Sequence, residues 1–370
     1  MDFTYSEEQE DLRRTVRGLL ERFAPIDAVL RTASAGEGHD RALWRRMAGE
    51  LGLHGLGIPE EYGGVGFGPV ELGAVLEETG RALLSAPFFS SAVLAARAVL
   101  DSGDKDAAAS LLPALASGEH VAVLALTGDC TGEEPALPVR ANRRPGGWRL
   151  TGTVRPVPDL YAADLLLVPA RTEGGAGLFS LSRATAGVGV VPLPSLDPTR
   201  PVGALELDDA SAEPVGEPGH AWPGLRRALD VALALLAAEQ VGGAAAVLDM
   251  SVAHAGTRQQ FGRPIGGFQA VKHHCANMLV DVESARATAH YGLLAAATGE
   301  PDLPVAASAA KAYCSAAFTR CAETNIQIHG GIGFTWEHPA HLYLKRAKAA
   351  EAFLGSPRAH LEAVAVRTGI

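Results

Sequence analysis

The sequence predicts an α+β protein with three domains: an N-terminal helical domain at residues 1–119, a middle antiparallel β-domain at residues 120–222 and a C-terminal four-helix bundle at residues 223–370. The spacing of apolar residues predicts this division, because it changes from a helical to a strand-like period near His120 and returns to a helical period at Pro223. A chain of 370 residues is also longer than one compact core usually supports.

Helices separated by short Gly- and Pro-containing breaks are predicted in the N-terminal region. The first, Met1 to Leu20, is amphipathic, and Ser6 with Gln9 three residues later has the pattern of a capping box. Further helices are predicted wherever apolar residues recur at helical spacing. They are Asp40 to Leu51, Pro69 to Leu84 and Ser91 to Leu100.

Short strands are predicted in the middle region, where apolar or alternating runs are separated by clusters of Pro, Gly and Asp. They are Val121 to Leu126, Trp148 to Val154, Ala163 to Ala170 and Gly203 to Leu207. Strands of this length with such separators are typical of a small antiparallel β-domain.

Long helices are predicted in the C-terminal region. They run from Pro223 to about Arg258, from Phe268 to about Thr298, from Val305 to about Ile328 and onward from Ala340. The first contains an apolar run, which Glu239 and Gln240 interrupt well short of the length of a membrane span.

Composition excludes several classes of partner. The net charge of −10 argues against binding to nucleic acids or anionic membranes, which need a basic surface. Hydrophobic residues make up 47% of the chain and charged residues 20%, which favours a well-buried, oligomeric protein. The four cysteines have no paired metal-type spacing, so no metal site is predicted. Without a secretory signal pattern, the reducing cytoplasm is the expected compartment.

Two polar, glycine-containing motifs suit a dinucleotide. The first is Arg258-Gln259-Gln260-Phe261-Gly262, followed by Gln269, and the second is Gln327-Ile328-His329-Gly330-Gly331-Ile332-Gly333-Phe334. Arginine offers a fork of donors to phosphate oxygens, and glycine lets a ligand approach the backbone. Alone, the arginine could satisfy the carbonyls at a helix end, and the glycines could form a tight turn.

In this order, the motifs resemble those of the acyl-CoA dehydrogenase family, FAD enzymes that oxidise acyl thioesters, and more narrowly an actinobacterial subgroup. The N-terminal region adds Leu51-Gly52-Leu53, Pro59-Glu60-Glu61-Tyr62-Gly63-Gly64 and Glu77-Glu78-Thr79-Gly80-Arg81 to the resemblance. It covers essentially the whole chain and implies the helix–strand–helix order predicted above.

The resemblance implies contacts to an FAD held mainly by the neighbouring subunit. Arg258 would contact the pyrophosphate, Phe261 would pack on the cofactor and Gln269 would reach toward its adenine end. A second pyrophosphate contact would come from Gln327, Gly330 and Gly331. His329, within the same motif, is expected to be a structural hydrogen-bonding residue rather than an acid–base group.

The half of the site that a chain provides for its own flavin departs from the family pattern. Where relatives carry Thr-Glu-Pro and Ala-Gly-Ser-Asp, this chain carries the segment 127–135, of which only Thr127 clearly matches. Where relatives place a tryptophan against the flavin and then a threonine, this chain has Pro156 and Pro158. Proline offers neither a donor nor a stacking ring.

The usual catalytic carboxylate is also replaced. The resemblance implies that a Glu removes the α-proton of the thioester, but Leu354 occupies its common position and Ala232 the alternative one. Glu239, seven residues after Ala232 on the same helix face, is the leading candidate base, because burial would raise its pKa. Alternatively, it is hydrogen-bonded to helix partners at a subunit interface. Asp230 remains from a family Asp-x-x-Arg pair, but Leu233 replaces the arginine.

Three functional hypotheses follow. The first is a subunit of a heteromeric acyl-CoA dehydrogenase, α2β2, whose partner supplies the flavin cradle and the catalytic base. The second is a homomeric enzyme whose altered site catalyses a different reaction, such as γ,δ-desaturation of a carrier-protein-bound acyl chain. The third is a catalytically silent scaffold. The resemblance implies an acyl-CoA or acyl-carrier-protein substrate, an electron-transfer flavoprotein or other acceptor, and a homo- or heterotetramer.

Overall fold

A computed structural model describes residues 5–35, 39–128, 130–132 and 134–370. Asp129 and Glu133, which belong to the segment predicted to be a degenerate flavin cradle, lie outside the described residues. The chain divides into two compact units. One comprises the described residues up to 30, residues 73–84 and residues 233–370, and the other comprises residues 31–72 and 85–232. The three boundaries read from the sequence stay a prediction.

The N-terminal region is helical, as predicted. Its helices are α1 (Glu7–Phe23), α2 (Ile26–Ala35), α3 (Arg41–Gly49), α4 (Pro69–Arg81), α5 (Ala96–Leu100) and α6 (Lys105–Ala116). The capping box is confirmed, since the Gln9 side chain accepts from the Ser6 N–H at 2.9 Å and the Ser6 hydroxyl accepts from the Gln9 N–H at 3.3 Å. The expected helix at residues 91–100 begins as a π-helical segment, Phe89–Ala95, that continues into α5.

The middle of the chain forms one sheet. Its strands are β1 (Ala122–Leu124), β2 (Arg140–Arg144), β3 (Gly147–Pro158), β4 (Leu165–Thr172), β5 (Gly175–Ser182), β6 (Val188–Leu193) and β7 (Val202–Val215). The order is β1-β4-β2-β3-β7-β5, with β6 on β7 and a further β4–β5 pairing that closes the strands on themselves. Most pairs are antiparallel as predicted, but β1 and β2 both lie parallel to β4.

The core of this sheet explains which strands the sequence revealed. Its inward side chains include Leu150, Val168, Phe179 and Leu205, all fully or almost fully buried. Strands β2, β5 and β6 were not predicted, and for β2 the reason is its sequence, RANRR, which has one buried position and four exposed ones. Such a strand carries almost no apolar signal.

The C-terminal helices are α7 (Trp222–Thr257), α8 (Gln269–Thr298), α9 (Leu303–His329), α10 (Ala340–Ala352) and α11 (Pro357–Thr368). The last predicted helix is therefore two helices, which separate where Leu354 and Gly355 take positive φ values of 60° and 108°. Among the described helices, α7 alone is long and apolar enough to cross a membrane by composition, and 89% of that stretch is buried inside the protein, as in a core helix.

Glycines let α4 and α7 approach closely within the first unit. A Cβ added to Gly80 would lie 1.9 Å from the Glu239 carbonyl oxygen, and one added to Gly242 would lie 1.7 Å from that of Glu77. No side chain fits at either position. This crossing fixes the height of Glu239 on α7 relative to α4.

Candidate cofactor site

The first dinucleotide motif forms a hairpin directly after α7. The Arg258 N–H donates to the His254 carbonyl at 2.9 Å, and the Arg258 carbonyl accepts from the Ile265 N–H at 2.8 Å. Both backbone groups of Arg258 are therefore used, which fixes where its exposed side chain starts. An exposed guanidinium at a fixed backbone position can bind a phosphate with little rearrangement.

Phe261 and Gly262 form the tip of this hairpin. Gln259–Gln260 pairs with Arg263–Pro264 on either side of them. Both tip residues have positive φ, 52° for Phe261 and 75° for Gly262, which is the pattern of a type I′ turn. Glycine adopts this conformation freely, but phenylalanine does so at a cost of about 1–3 kcal/mol.

The strained turn presents an aromatic ring to the exterior. Phe261 is 90% exposed, and its only ring contact among the described residues is an edge contact with Phe268 at 6.1 Å. The Arg263 guanidinium lies 4.2 Å from the Phe268 ring centroid and braces the base of the hairpin. Gln269, immediately after Phe268, is exposed as the first residue of α8. A strained, exposed aromatic residue indicates a binding surface.

The second motif follows the end of α9. Gly330 has a φ of 64°, and its N–H donates to the Ile326 carbonyl. A Cβ added at Gly330 or Gly331 would meet no other atom within 4 Å, so bare backbone faces open space there. Gln327 is exposed one turn earlier, and Phe334 is 70% exposed just beyond.

Stacked imidazoles bring the two motifs together. The rings of His254, one turn before Arg258, and His329, directly before Gly330, have centroids 4.1 Å apart and an interplanar angle of 29°. The His329 ring also lies 4.4 Å from that of His338. His329 Nδ1 contacts the Asn325 carbonyl at 2.8 Å, in agreement with its expected structural role.

Thr127 lies in the other unit and is partly engaged by its own sheet. Its hydroxyl donates to the Arg155 carbonyl at 3.3 Å. Pro156 and Pro158 follow on β3, where neither can donate an N–H. At these two positions the backbone therefore offers a flavin no hydrogen-bond donor.

Asp230 has an arginine partner that the sequence comparison missed. Arg226, one turn earlier on α7, contacts the Asp230 carboxylate through two nitrogens, one of them Nε at 3.1 Å. The same guanidinium donates to the Cys130 carbonyl. An arginine four residues before an aspartate is the available signal, because such residues face each other on a helix. The pair ties the segment around Cys130 to α7.

Comparison with known proteins identifies the family. The model for the acyl-CoA dehydrogenase N-terminal domain matches residues 6–119, and that for the acyl-CoA dehydrogenase C-terminal domain matches residues 222–368. The chain belongs to the acyl-CoA dehydrogenase family. It is therefore an FAD-dependent oxidoreductase of acyl thioesters.

Its relatives include a named acyl-CoA dehydrogenase and two solved structures whose names join two proteins. It is 35% identical to acyl-CoA dehydrogenase IpdE2 of Mycobacterium tuberculosis, covering 96% of this chain and 95% of that one. The solved ChsE4-ChsE5 complex from the same organism matches with 31% identity and a TM-score of 0.89, covering 100% of this chain and 99% of the other. A variant of the Tcur3481-Tcur3483 steroid ACAD matches with 31% identity and a TM-score of 0.88, covering 98% of both chains.

The candidate base Glu239 is held in a buried ion pair on α7 of this family member. Its carboxylate accepts from Arg346 at 3.3 Å, and the two side chains are only 6% and 3% exposed. Arg346 also donates to the Leu84 carbonyl at 3.3 Å. This environment matches the alternative of a Glu bound to helix partners, while its role as a base stays a prediction.

Leu354, at the position of the family's usual base, is buried and held in a turn that a lysine supports. Lys311 is fully buried, and its ammonium donates to the carbonyls of Glu351 and Gly355, both at 3.1 Å, and to the Ser315 hydroxyl at 3.0 Å. Burial lowers the pKa of Lys311 to about 8. No sequence pattern indicated this role, since a lone lysine in an Ala-rich helix usually reaches solvent.

Proposed function

We propose that this chain is one subunit of a heteromeric acyl-CoA dehydrogenase, α2β2 in composition, that forms an α,β-double bond in an acyl thioester. The observation that carries the proposal is an asymmetry between two half-sites. The residues that we assign to a neighbour's FAD are exposed, at Arg258, Phe261 and Gly330–Gly331. By contrast, alkyl and proline residues occupy the places of the family's base and flavin contacts, at Leu354, Pro156 and Pro158.

The residues of the exposed half suit the cofactor. FAD, when bound, would accept a hydride from the β-carbon of the thioester. Arg258 would neutralise charge on the diphosphate, and the backbone at Gly330 and Gly331 leaves room for close approach. The ring of Phe261 would cover the cofactor, exchanging its 90% exposure for apolar contact. Gln269 and Gln327 would contribute amide hydrogen bonds.

The remaining functions are assigned to a partner chain. Proton abstraction needs a carboxylate within hydrogen-bond reach of the α-carbon, and an alkyl group at position 354 cannot supply it. The solved two-protein relatives support an assembly in which two different chains share the work. One of these relatives is a steroid ACAD, which supports a bulky or ring-bearing acyl group on coenzyme A. We further propose a cytoplasmic location and an electron-transfer flavoprotein as electron acceptor.

Glu239 favours a second candidate, a homomeric enzyme acting on an acyl thioester of coenzyme A or a carrier protein. A carboxylate buried on α7, seven residues after Ala232, is the chain's best available base. Its ion pair with Arg346 must then open or shift when substrate binds. The heteromer avoids that requirement.

Flavin content separates the proposals. The chain is purified alone and after co-expression with a sister chain encoded beside it, and flavin absorbance is measured per chain. A colourless chain that gains flavin and dehydrogenase activity only with its sister supports the heteromer. A yellow, active chain on its own overturns it in favour of the homomer. If no assembly binds flavin, the catalytically silent scaffold is the hypothesis that remains.

A further inference from the structure

The exposed glycine backbone belongs to a loop whose two ends meet. We define the glycine segment as residues 330–337, which follows His329 and precedes His338. Because the rings of His329 and His338 lie 4.4 Å apart, they close the base of this loop. His254 also stacks on His329, with ring centroids 4.1 Å apart, and extends the contact to α7 and its hairpin. The histidine stack (His254, His329 and His338) thus joins both dinucleotide motifs.

His338 holds a second connection that depends on its protonation state. Its Nδ1 accepts a hydrogen bond from the N–H of Ala340, the first residue of α10, at 3.3 Å. Only an unprotonated Nδ1 can accept. Protonation there would remove this bond and place a positive charge at the N-terminal end of α10, where the helix dipole disfavours cations.

The titratable and charged groups around the stack disfavour a positive charge on it. The His329 imidazole and Arg258, directly after α7, act on His254, and the imidazoles of His329, His254 and His341 act on His338. On α10, Lys345 acts on His341. No carboxylate of the described residues is among the groups that shift the pKa of these histidines.

Burial also lowers the pKa values of these histidines. It is the largest cause that lowers the pKa of His254, His329 and His338 below the usual value of 6.5. Neighbouring imidazoles lower the pKa of His254 and His338 further, and Arg258 adds to the effect on His254. For His329, the hydrogen bond to the Asn325 carbonyl acts in the opposite direction. The folded loop therefore prefers neutral imidazoles. Its stability is full above the unfolded-state pKa and falls as the pH drops from there toward the lowered folded-state values.

We propose that His338 is a positioning residue: its neutral imidazole holds the glycine segment in register with Arg258 for the flavin diphosphate, and its protonation releases the segment. The inference rests on the proposed FAD site and adds to it a pH-dependent step. Flavin retention should therefore fall in mildly acidic solution although no residue that contacts the flavin titrates there.

The test replaces His338 by a residue that accepts a hydrogen bond but does not titrate. In His338→Asn, the amide oxygen can accept from the N–H two residues on, as His338 does. His338→Ser offers a hydroxyl acceptor if the Asn variant folds poorly. His220→Asn is the matched control, because the His220 side chain is 70% exposed in the other unit.

Flavin retention is measured on the flavin-loaded assembly between about pH 7.5 and 5.5, the range in which histidine titrates. Wild type and His220→Asn should lose affinity by severalfold, less than the about tenfold that one linked proton with an unshifted histidine pKa gives over this range. His338→Asn should lose clearly less, since only His254 and His329 of the stack can still titrate. A wild type that does not respond to pH, or a His338→Asn variant that follows it, would overturn the proposal.

A flavin-independent readout separates this failure from failure of the proposed function. Hydrogen exchange of residues 254–262 and 330–337 is measured in the chain without flavin, corrected for intrinsic rates. Acid should accelerate exchange clearly more in wild type than in His338→Asn. If no assembly binds flavin but this difference is present, the FAD assignment fails while the pH-dependent loop stands. If exchange responds equally in both proteins, the positioning role of His338 is wrong.

Discussion

Arg226 pairs with Asp230 across one turn of α7 and, with the same guanidinium, donates to the Cys130 carbonyl. The Asp230 side chain is 4% exposed, so its charge depends on this partner. The sequence motif of the family places an arginine three residues after this aspartate, where Leu233 stands here. Asp230 is therefore paired with an arginine that precedes it on α7, and the same guanidinium links it to the segment around Cys130.

Replacing Arg226 by Lys should destabilise that segment. Lysine is a point charge and cannot satisfy the Asp230 carboxylate and the Cys130 carbonyl together. We expect a loss of about 1–3 kcal/mol in the free energy of unfolding, measured by urea denaturation, with faster hydrogen exchange around Cys130. Arg227→Lys is the matched control, because the adjacent Arg227 side chain is 64% exposed. Equal effects of the two substitutions would remove the special role of Arg226.

Glu239→Gln distinguishes a base from an ion-pair partner. The substitution keeps size and hydrogen bonding but leaves the buried Arg346 uncompensated, so the free energy of unfolding should fall by about 3–5 kcal/mol. If Glu239 is structural, the rate of flavin reduction by substrate in the loaded assembly stays within a few-fold of wild type. If it is the base, that rate falls by at least about 10²-fold while substrate still binds.

Arg346→Gln provides the control for this experiment. It breaks the same ion pair and should cause a similar loss of thermal stability. Because Arg346 cannot remove a proton, a rate loss seen in both variants would indicate distortion of the helices. A rate loss confined to Glu239→Gln would instead assign the base to this chain and contradict the heteromer as proposed.

Arg258→Ala should weaken flavin retention by about 1.5–3 kcal/mol, the contribution of a charge-assisted hydrogen bond to phosphate. The measurement is flavin occupancy after dialysis. In a heteromer, the loss should occur only in the assembly with the sister chain. Arg358→Ala is the control, since that side chain is 89% exposed on α11. Unchanged occupancy in every assembly would exclude Arg258 from the site.

Leu354→Met should leave dehydrogenase activity within a few-fold of wild type, since the side chain at 354 has no proton to exchange. Methionine keeps the volume of this buried position, so the loss of stability should stay below about 1.5 kcal/mol. Activity and thermal unfolding are compared in the same preparation. A large rate loss with unchanged stability would show that Leu354 touches the reacting thioester.

The sequence by itself determined the order of helices and strands, because apolar periodicity reports which face of each element is buried. It predicted α7, α8 and α9 closely and failed where that signal is weak or interrupted. Strand β2 is too polar to be seen, and the break between α10 and α11 depends on Leu354 adopting a positive φ. A leucine gives no local sign of that conformation.

The sequence also placed Arg258, Phe261 and the Gly330–Gly331 pair on one surface only through a family resemblance. What only the tertiary structure decided is how these pieces are held. The histidine stack joins two motifs about seventy residues apart in the chain, and Glu239 meets Arg346 across a still longer separation. Such pairings depend on how helices pack, and neither charge nor periodicity along the chain encodes them.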